Sequence, residues 1–157
     1  MSLHIREVTK ANWRAVANLT VADEQQSYIE STAFCLAEAM YDTQWKSVGL
    51  YDGDILVGYA MYGINIDVRP EIEVWLDRFM IDRNFQRKGY AKRFIPLLLE
   101  TIQKEYVTDT IFLSIIPANN LAQQLYESFG FALTGEYDEF GEAILKWIAP
   151  IQTKLNI

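Results

Sequence analysis

Gln86-Arg87-Lys88-Gly89-Tyr90-Ala91 is the stretch that decides how this chain folds. A strand-like run precedes it, Val74-Trp75-Leu76-Asp77-Arg78-Phe79-Met80-Ile81. A helical pattern follows from Lys92 to Ile102, with Phe94, Ile95, Leu97, Leu98 and Leu99 as its apolar residues. Strand, short glycine loop, helix: that order gathers free backbone N–H groups and the positive end of a helix dipole at one point, which is an anion site. Gly89 has access to dihedrals closed to other residues and takes a side chain out of a ligand's path. Ala91 is small enough to leave the approach open. Arg83, Arg87, Lys88, Lys92 and Arg93 surround the loop, and no acid stands between positions 83 and 93, although the net charge of the chain is −7. That local reversal of sign predicts a ligand bearing phosphate. Neither GxxxxGK[ST] nor GxGxxG occurs, so the loop is neither a Walker A loop nor a dinucleotide fingerprint.

Working outward, 157 residues suffice for one domain with a real core and are too few for two ordinary ones. Half of them are hydrophobic and 13 % aromatic, as in a packed globule and unlike a disordered chain. The single cysteine, Cys35, excludes an internal disulfide and a cysteine-based zinc cluster. Its place in an apolar helical stripe predicts a small core residue. His4, the only histidine, has no ligand-type companion nearby in sequence, and no metal site is expected. The amino terminus lacks the apolar segment of a secretory signal, and no run of about 18 apolar residues could span a bilayer, so a cytoplasmic location is expected. An isoelectric point near 4.7 argues against nonspecific binding to nucleic acid and favours cationic partners, although acidity also serves plain solubility.

Local patterns predict the remaining elements. Leu3 to Val8 alternates loosely as a strand, Thr9 is placed to cap a helix through Leu19, and Ser31 to cap a second with a stripe of Phe34, Cys35, Leu36, Ala39 and Met40. Trp45–Tyr51 and Ile55–Tyr62 flank Asp52-Gly53, a hairpin signal. Gly63 and Pro70 bracket a loop before the strand at 72–81. The helix after the glycine loop runs to about Tyr106 and contains Pro96, where a kink or a weakened hydrogen bond is expected. Thr110–Ile115 is a short buried strand. A helix opened by Asn119 or Asn120 ends at Gly130 in the left-handed position, and Phe131–Tyr137 and Ala143–Ile148 form a last pair of strands. The order β-α-α-β-β-β-α-β-α-β-β predicts a single mixed α/β domain, one sheet with helices on both faces and a parallel pair joined through residues 72–115.

Two motifs carry a resemblance to a known family. The pattern [Q/R]-x-x-G-x-[G/A] at Gln86–Ala91 resembles motif A of the GNAT acetyltransferase superfamily. Asn119-x-x-Ala122-x-x-Leu125-Tyr126-x-x-x-Gly130-Phe131 matches a second superfamily motif at every fixed position. The resemblance extends from Ile5 to Ile148. It implies a mixed, mostly antiparallel sheet splayed at its centre, and acetyl-CoA as co-substrate with no metal. Phe79, Met80 and Ile81 would offer backbone groups to the pantetheine arm. Gln86, Arg87, Lys88, Gly89, Tyr90, Ala91 and Lys92 would form the pyrophosphate site, with main-chain N–H groups from Arg87 to Lys92 holding it. Asn119 would bond the pantetheine, and Tyr126 would aim its hydroxyl at the sulfur, although a tyrosine at this helical spacing can equally be a core aromatic.

The chemistry implied is direct transfer in a ternary complex. An amine attacks the thioester, main-chain N–H groups near Ile81 stabilise the oxyanion, and Tyr126, with an ordinary pKa of about 10, gives a proton to the departing sulfur. An alkyl ammonium must first lose a proton, which calls for a carboxylate. Asp77 is the first candidate and Glu73 the second; four apart on one strand, they share a face, and Ile81 is expected on that face too. Either acid could instead pair structurally with Arg78.

Within the superfamily the chain resembles the bacterial spermine/spermidine acetyltransferase type, at Gln26-x-Tyr28-Ile29, Ala37-Glu38-Ala39, Val48–Gly53, Val57–Gly63 and Trp75–Ile81. A polyamine cleft needs carboxylates spaced along an aromatic-lined groove. Glu24, Tyr28 and Glu30 are expected on one side of it, with Asp77, and the last hairpin offers Glu136, Asp138, Glu139 and Glu142; each acid alone could be ordinary solvated surface. Three functions fit: a polyamine N-acetyltransferase, an acetyltransferase for another amine such as a protein N-terminus, a lysine or an aminoglycoside, or a coenzyme A-binding sensor without turnover. A homodimer through the C-terminal strands, with the apolar tail Ile148-Ala149-Pro150-Ile151, is compatible with each.

Overall fold

The computed structural model describes residues 2–65 and 71–150. Pro70 of the expected loop and Ile151 of the apolar tail lie outside them. Seven strands and four α-helices follow one another as β1 (Leu3–Glu7), α1 (Trp13–Ala17), a 3₁₀ turn (Asp23–Tyr28), α2 (Thr32–Tyr41), β2 (Trp45–Asp52), β3 (Ile55–Asn65), β4 (Glu73–Ile81), a second 3₁₀ turn (Arg83–Phe85), α3 (Tyr90–Tyr106), β5 (Thr110–Ile115), α4 (Asn120–Ser128), β6 (Ala132–Tyr137) and β7 (Ala143–Ile148). The strands form one sheet in the order β1-β2-β3-β4-β5-β7-β6. Every pairing is antiparallel except β4–β5, which is parallel and registers at one pair, Trp75 opposite Phe112. The sheet is therefore mixed, mostly antiparallel and splayed at its centre, as expected.

Two apolar clusters hold the helices against opposite faces. On one face, Phe94, Ile95, Leu98, Leu99 and Ile102 of α3 and Tyr126 of α4 pack with Leu50, Tyr62, Leu76, Ile111, Leu113 and Leu145 of the sheet. On the other, Val16 of α1 and Cys35 of α2 pack with Tyr59, Met61 and Met80. Burial raises the Cys35 thiol to about 11, so it stays a protonated core residue at neutral pH, in line with its sequence context.

Local chemistry accounts for most of the element ends. The Ser31 hydroxyl accepts from the Phe34 N–H and starts α2, and the Asn119 carbonyl oxygen accepts from the Ala122 N–H and starts α4. Gly130, at φ 101°, turns the chain out of α4 as predicted. α1 departs from expectation: it starts at Trp13, not near Ala11. The Thr9 hydroxyl accepts from Ala11 N–H while Asn12 Oδ1 accepts from Thr9 N–H at 2.7 Å, so residues 9–12 close into a turn ahead of the helix. In α2, Cys35 is fully buried, but Phe34 and Met40 of the expected stripe are exposed. The helix lies on the sheet through Thr32, Cys35, Leu36 and Ala39, which leaves those two side chains on its outer side. α3 continues through Pro96.

Two irregularities shape the centre of the sheet. The β3–β4 register steps between Met61 and Tyr62, which pair with Arg78 and Leu76, so Asp77 is an extra, bulged residue on β4. On β3, Gly58 lies opposite Ile81, and a Cβ added there would meet the Met80 carbonyl oxygen at 2.5 Å. Replacing Gly58 by Ala should force the end of β4 away from β3. An overpacking cost of about 1–3 kcal/mol is expected, read as a lower midpoint in urea unfolding with unchanged m.

Candidate active site

The glycine loop leaves β4 through the Arg83–Phe85 turn and enters α3 with two left-handed residues, Arg87 at φ 63° and Gly89 at φ 80°. Gly89 occupies the N-cap of α3, so no side chain caps that helix. Nothing lies within 4 Å of a Cβ placed on Gly89, which leaves the first-turn amides of α3 open to an acceptor from outside. Arg87, Lys88, Lys92 and Arg93 stand exposed around the loop. This is the cradle that a pyrophosphate needs.

The side chains of Gln86 and Tyr90 hold the loop in place. The Gln86 amide donates to Ile81 O at 3.0 Å and to Gln25 Oε1 at 2.9 Å. The Tyr90 hydroxyl donates to Asp52 Oδ2 at 2.6 Å, which joins the start of α3 to the β2–β3 hairpin. Lys88 lies over the Phe85 ring and Arg93 over the Tyr90 ring. Only the backbones of Gln86 and Tyr90 remain for a ligand.

From the loop, the splay gives a second feature. β4 pairs with β3 as far as Ile81, but with β5 only at Trp75. The β5-facing edge of Phe79–Ile81 is thus not paired with β5 and, apart from Ile81 O held by the Gln86 amide, offers the backbone groups an extended, amide-bearing arm requires. Phe79 and Ile81 pack toward α3, and Met80 toward α1 and α2.

Asp77 occupies the bulge beside this edge. Its Oδ2 accepts from Arg78 at 2.7 Å, and Arg78 reaches on to Glu38 of α2 at 3.9 Å. The structural pairing with Arg78 therefore exists. It does not neutralise Asp77: burial raises the carboxyl to about 6 against the pull of Arg78, and the charges of Glu38, Glu142 and Asp138 add to the rise. Asp77 still faces solvent in part, with 21 % of its side chain exposed. A partly buried carboxylate that titrates near neutrality has the properties of a general base.

The bulge also overturns one expectation. Glu73 and Asp77 were expected to share a face with Ile81. Because Asp77 has no partner on β3, alternation resets there, and Ile81 packs into the α3 core while Asp77 and Arg78 both turn toward α2. Glu73 is buried and accepts from the Trp75 indole N–H at 3.3 Å. Trp75 in turn stacks on Phe112, so Glu73 buttresses the β4–β5 contact where the splay begins.

Tyr126 is nearly buried, edge-on to Phe131, and its hydroxyl makes no hydrogen bond among the described residues. Burial raises this phenol well above its ordinary value, so it keeps its proton throughout the working pH range. Both descriptions of Tyr126 hold: it is a core aromatic with one free donor. Asn119 uses its side-chain oxygen to cap α4, which leaves only its NH₂ group for a ligand.

Acids expected along the acceptor cleft divide into two groups. Glu24 and Tyr28 are exposed on the Asp23–Tyr28 turn, and Glu30 is exposed just before α2; none of the three is among the groups that perturb Asp77. Asp138 and Glu142 of the last hairpin do act on it, and Glu136 and Glu139 are exposed on the same hairpin. The Asp138 carboxylate closes its turn by accepting from Phe140 and Glu142 N–H groups, and Glu142 accepts from the Ser114 hydroxyl. Glu38 is the residue that sequence reasoning missed. Its signal was present: it stands three after Cys35, one helical turn along the face that Cys35 buries. Among the described residues no group of three or more His, Cys, Asp or Glu side chains could hold a metal ion, and no helix is long and apolar enough to cross a membrane.

The chain is similar to known proteins in sequence and in fold. Residues 13–131 match the acetyltransferase (GNAT) family. The spermine/spermidine N(1)-acetyltransferase of Bacillus subtilis strain 168 is 41 % identical over 148 residues, which are 92 % of this chain and 97 % of that one. A probable spermine N(1)-acetyltransferase of Bacillus subtilis subsp. natto matches to the same extent. Among solved structures, the spermidine N-acetyltransferase of Vibrio cholerae in complex with CoA and spermine superposes with a TM-score of 0.70 at 21 % identity, covering 93 % of this chain and 95 % of that one. By the family match over residues 13–131 and by relatives at this identity over most of its length, the chain belongs to the GNAT acetyltransferase family.

Proposed function

We propose that the chain is a single N-acetyltransferase domain that moves the acetyl group of acetyl-CoA to a primary amine of spermine or spermidine, in the cytoplasm. The observation that carries this reading is Asp77: a carboxylate raised to about 6, beside an unpaired strand edge and within the field of Glu38, Asp138 and Glu142. A polycation suits such a field, since each ammonium relieves the mutual repulsion of the acids. The spermine/spermidine acetyltransferase of Bacillus subtilis, at 41 % identity, supports the same acceptor.

In this reading the open amides of α3, from Gly89 on, and the exposed Arg87, Lys88 and Lys92 receive the pyrophosphate. Backbone groups of Phe79, Met80 and Ile81 pair with the pantetheine arm, and the Asn119 NH₂ group bonds it. Glu24, Tyr28 and Glu30 line the outer acceptor cleft. Asp77, directly or through water, takes a proton from the ammonium. The free amine forms an N–C bond to the thioester carbonyl, with the oxyanion on main-chain N–H groups near Ile81. The C–S bond then breaks, and the Tyr126 hydroxyl donates to the departing sulfur. Tyr126 recovers a proton from the nitrogen side, which has one to lose after attack. The products are the N-acetyl amine and coenzyme A thiol.

The acceptor is tested by release of free thiol from acetyl-CoA with spermine, spermidine, putrescine, lysine, a basic peptide and an aminoglycoside. Turnover is expected on spermine and spermidine, and on-the-order-of 10²-fold slower kcat in Tyr126→Phe with little change in KM for acetyl-CoA. Turnover confined to the peptide or the aminoglycoside would assign a different amine. Binding of acetyl-CoA with no turnover on any would make the chain a sensor.

Asp77 makes a separate prediction. A base must be unprotonated, and the Asp77 carboxyl of the free protein titrates at about 6, so kcat/KM should climb as pH rises through that value. Asp77→Asn should lose that limb and about 10²- to 10⁴-fold in kcat. The pH profile of kcat/KM decides it, and an unchanged profile in the variant would remove Asp77 from the proton path.

A homodimer through the last hairpin accompanies this proposal. Leu133, Tyr137, Phe140 and Ile148 are exposed there, and β6 is an edge strand with every residue exposed. Light scattering at assay concentration is expected to give twice the chain mass; a monomer would exclude the pairing.

A further inference from the structure

We propose that Gln25 is a positioning residue: through its hydrogen bond to Gln86 it ties the acceptor-side turn Asp23–Tyr28 to the pyrophosphate loop, so that coenzyme A and polyamine each favour binding of the other. This rests on the acetyl-CoA and polyamine reading above.

The Gln86 side chain stands at a junction of three elements. One amide hydrogen goes to Ile81 O, the last carbonyl of β4 and the end of the unpaired edge; the other goes to Gln25 Oε1 on the Asp23–Tyr28 turn. Using both hydrogens fixes the amide plane, and through it the backbone from which Arg87 takes its left-handed conformation. Gln25 sits beside Glu24 and three residues before Tyr28, the groups placed on the acceptor side.

Other contacts hold the front of this segment and leave its middle to Gln25. Thr20 N–H donates to Asp82 Oδ1 at 3.0 Å, Arg83 N–H donates to Thr20 O at 2.7 Å, and Arg83 lies 3.6 Å from Asp23. The last of these is a solvent-exposed ion pair and holds little. Gln26 bonds within the turn, to Asp23, and not to the loop. Between Asp23 and Tyr28, Gln25 is therefore the contact with the loop among the described residues. A loop seated on pyrophosphate keeps Gln86 in place, and Gln86 keeps the turn that carries Glu24 and Tyr28. By linkage the effect runs equally in the other direction.

Removing Gln25 leaves the Gln86–Ile81 bond but frees the loop to sample other conformations, which weakens apparent affinity by the fraction still competent. The loss of one hydrogen bond of ordinary net strength corresponds to about two- to tenfold in a dissociation constant. The test is calorimetric titration of coenzyme A into the wild type, Gln25→Ala, Gln86→Ala and the double variant, with steady-state kinetics on spermine. Gln25→Ala should bind coenzyme A about two- to tenfold more weakly and raise KM for spermine, with kcat at saturation of both substrates within about twofold of wild type. The double variant should bind no more weakly than Gln86→Ala alone, because the two residues act through one bond. Wild-type affinity in Gln25→Ala, or additive losses in the double variant, would overturn the proposal while leaving the acetyltransferase reading intact. A wild type that does not bind coenzyme A would overturn both. A melting temperature for Gln25→Ala close to wild type separates positioning from loss of fold.

Discussion

Everything at this site depends on the parting of β4 from β5. Two parallel strands that stayed paired would satisfy each other's backbone groups and leave no slot. Here the pair registers at Trp75 and Phe112 and then separates, with the stacked rings and the Glu73–Trp75 bond marking the point of departure. Beyond it, Phe79–Ile81 keeps β3 on one side and offers a bare edge on the other. Unpaired backbone is costly away from water, so an open strand edge inside a sheet needs water or another chain's groups to satisfy it. The glycine loop lies at the end of that edge, which brings amide groups along the strand and the α3 amides into one continuous path.

The bulge at Asp77 follows from the same region. By inserting one residue opposite none, it turns both Asp77 and Arg78 toward α2 and places a carboxylate at the slot's margin. Arg78 pulls the Asp77 pKa down, while burial and three further acids push it up, and the balance lands near 6. An unbulged strand would have put Asp77 and Arg78 on opposite faces and removed that counterweight. The titration of Asp77 is thus set by backbone register as much as by side-chain identity.

Holding the loop is a separate task from binding with it. Gln86 and Tyr90 belong to the motif by sequence, yet their side chains point back to Ile81, Gln25 and Asp52. Arg87, Lys88 and Gly89 face outward. Motif positions of one loop therefore divide between side chains that anchor it and positions left exposed. The division depends on distant partners, at the β2–β3 hairpin and on the Asp23–Tyr28 turn.

Sequence alone determined what depends on neighbours within a few positions. The Asp52-Gly53 hairpin, the Ser31 and Asn119 caps, the Gly130 exit and the span of α3 are decided by local dihedrals and local hydrogen bonds, and these agree with the structure. The basic glycine loop and the Asn119–Phe131 motif were legible for the same reason. Tertiary structure decided what needs a partner far along the chain. The bulge at Asp77 is a property of register with β3, and the β4 sequence by itself reads as one unbroken strand. Glu38 reaches Arg78 and acts on Asp77 only because α2 lies across the sheet. A side chain's type is written in the sequence; the field it works in is made by residues that folding brings near it.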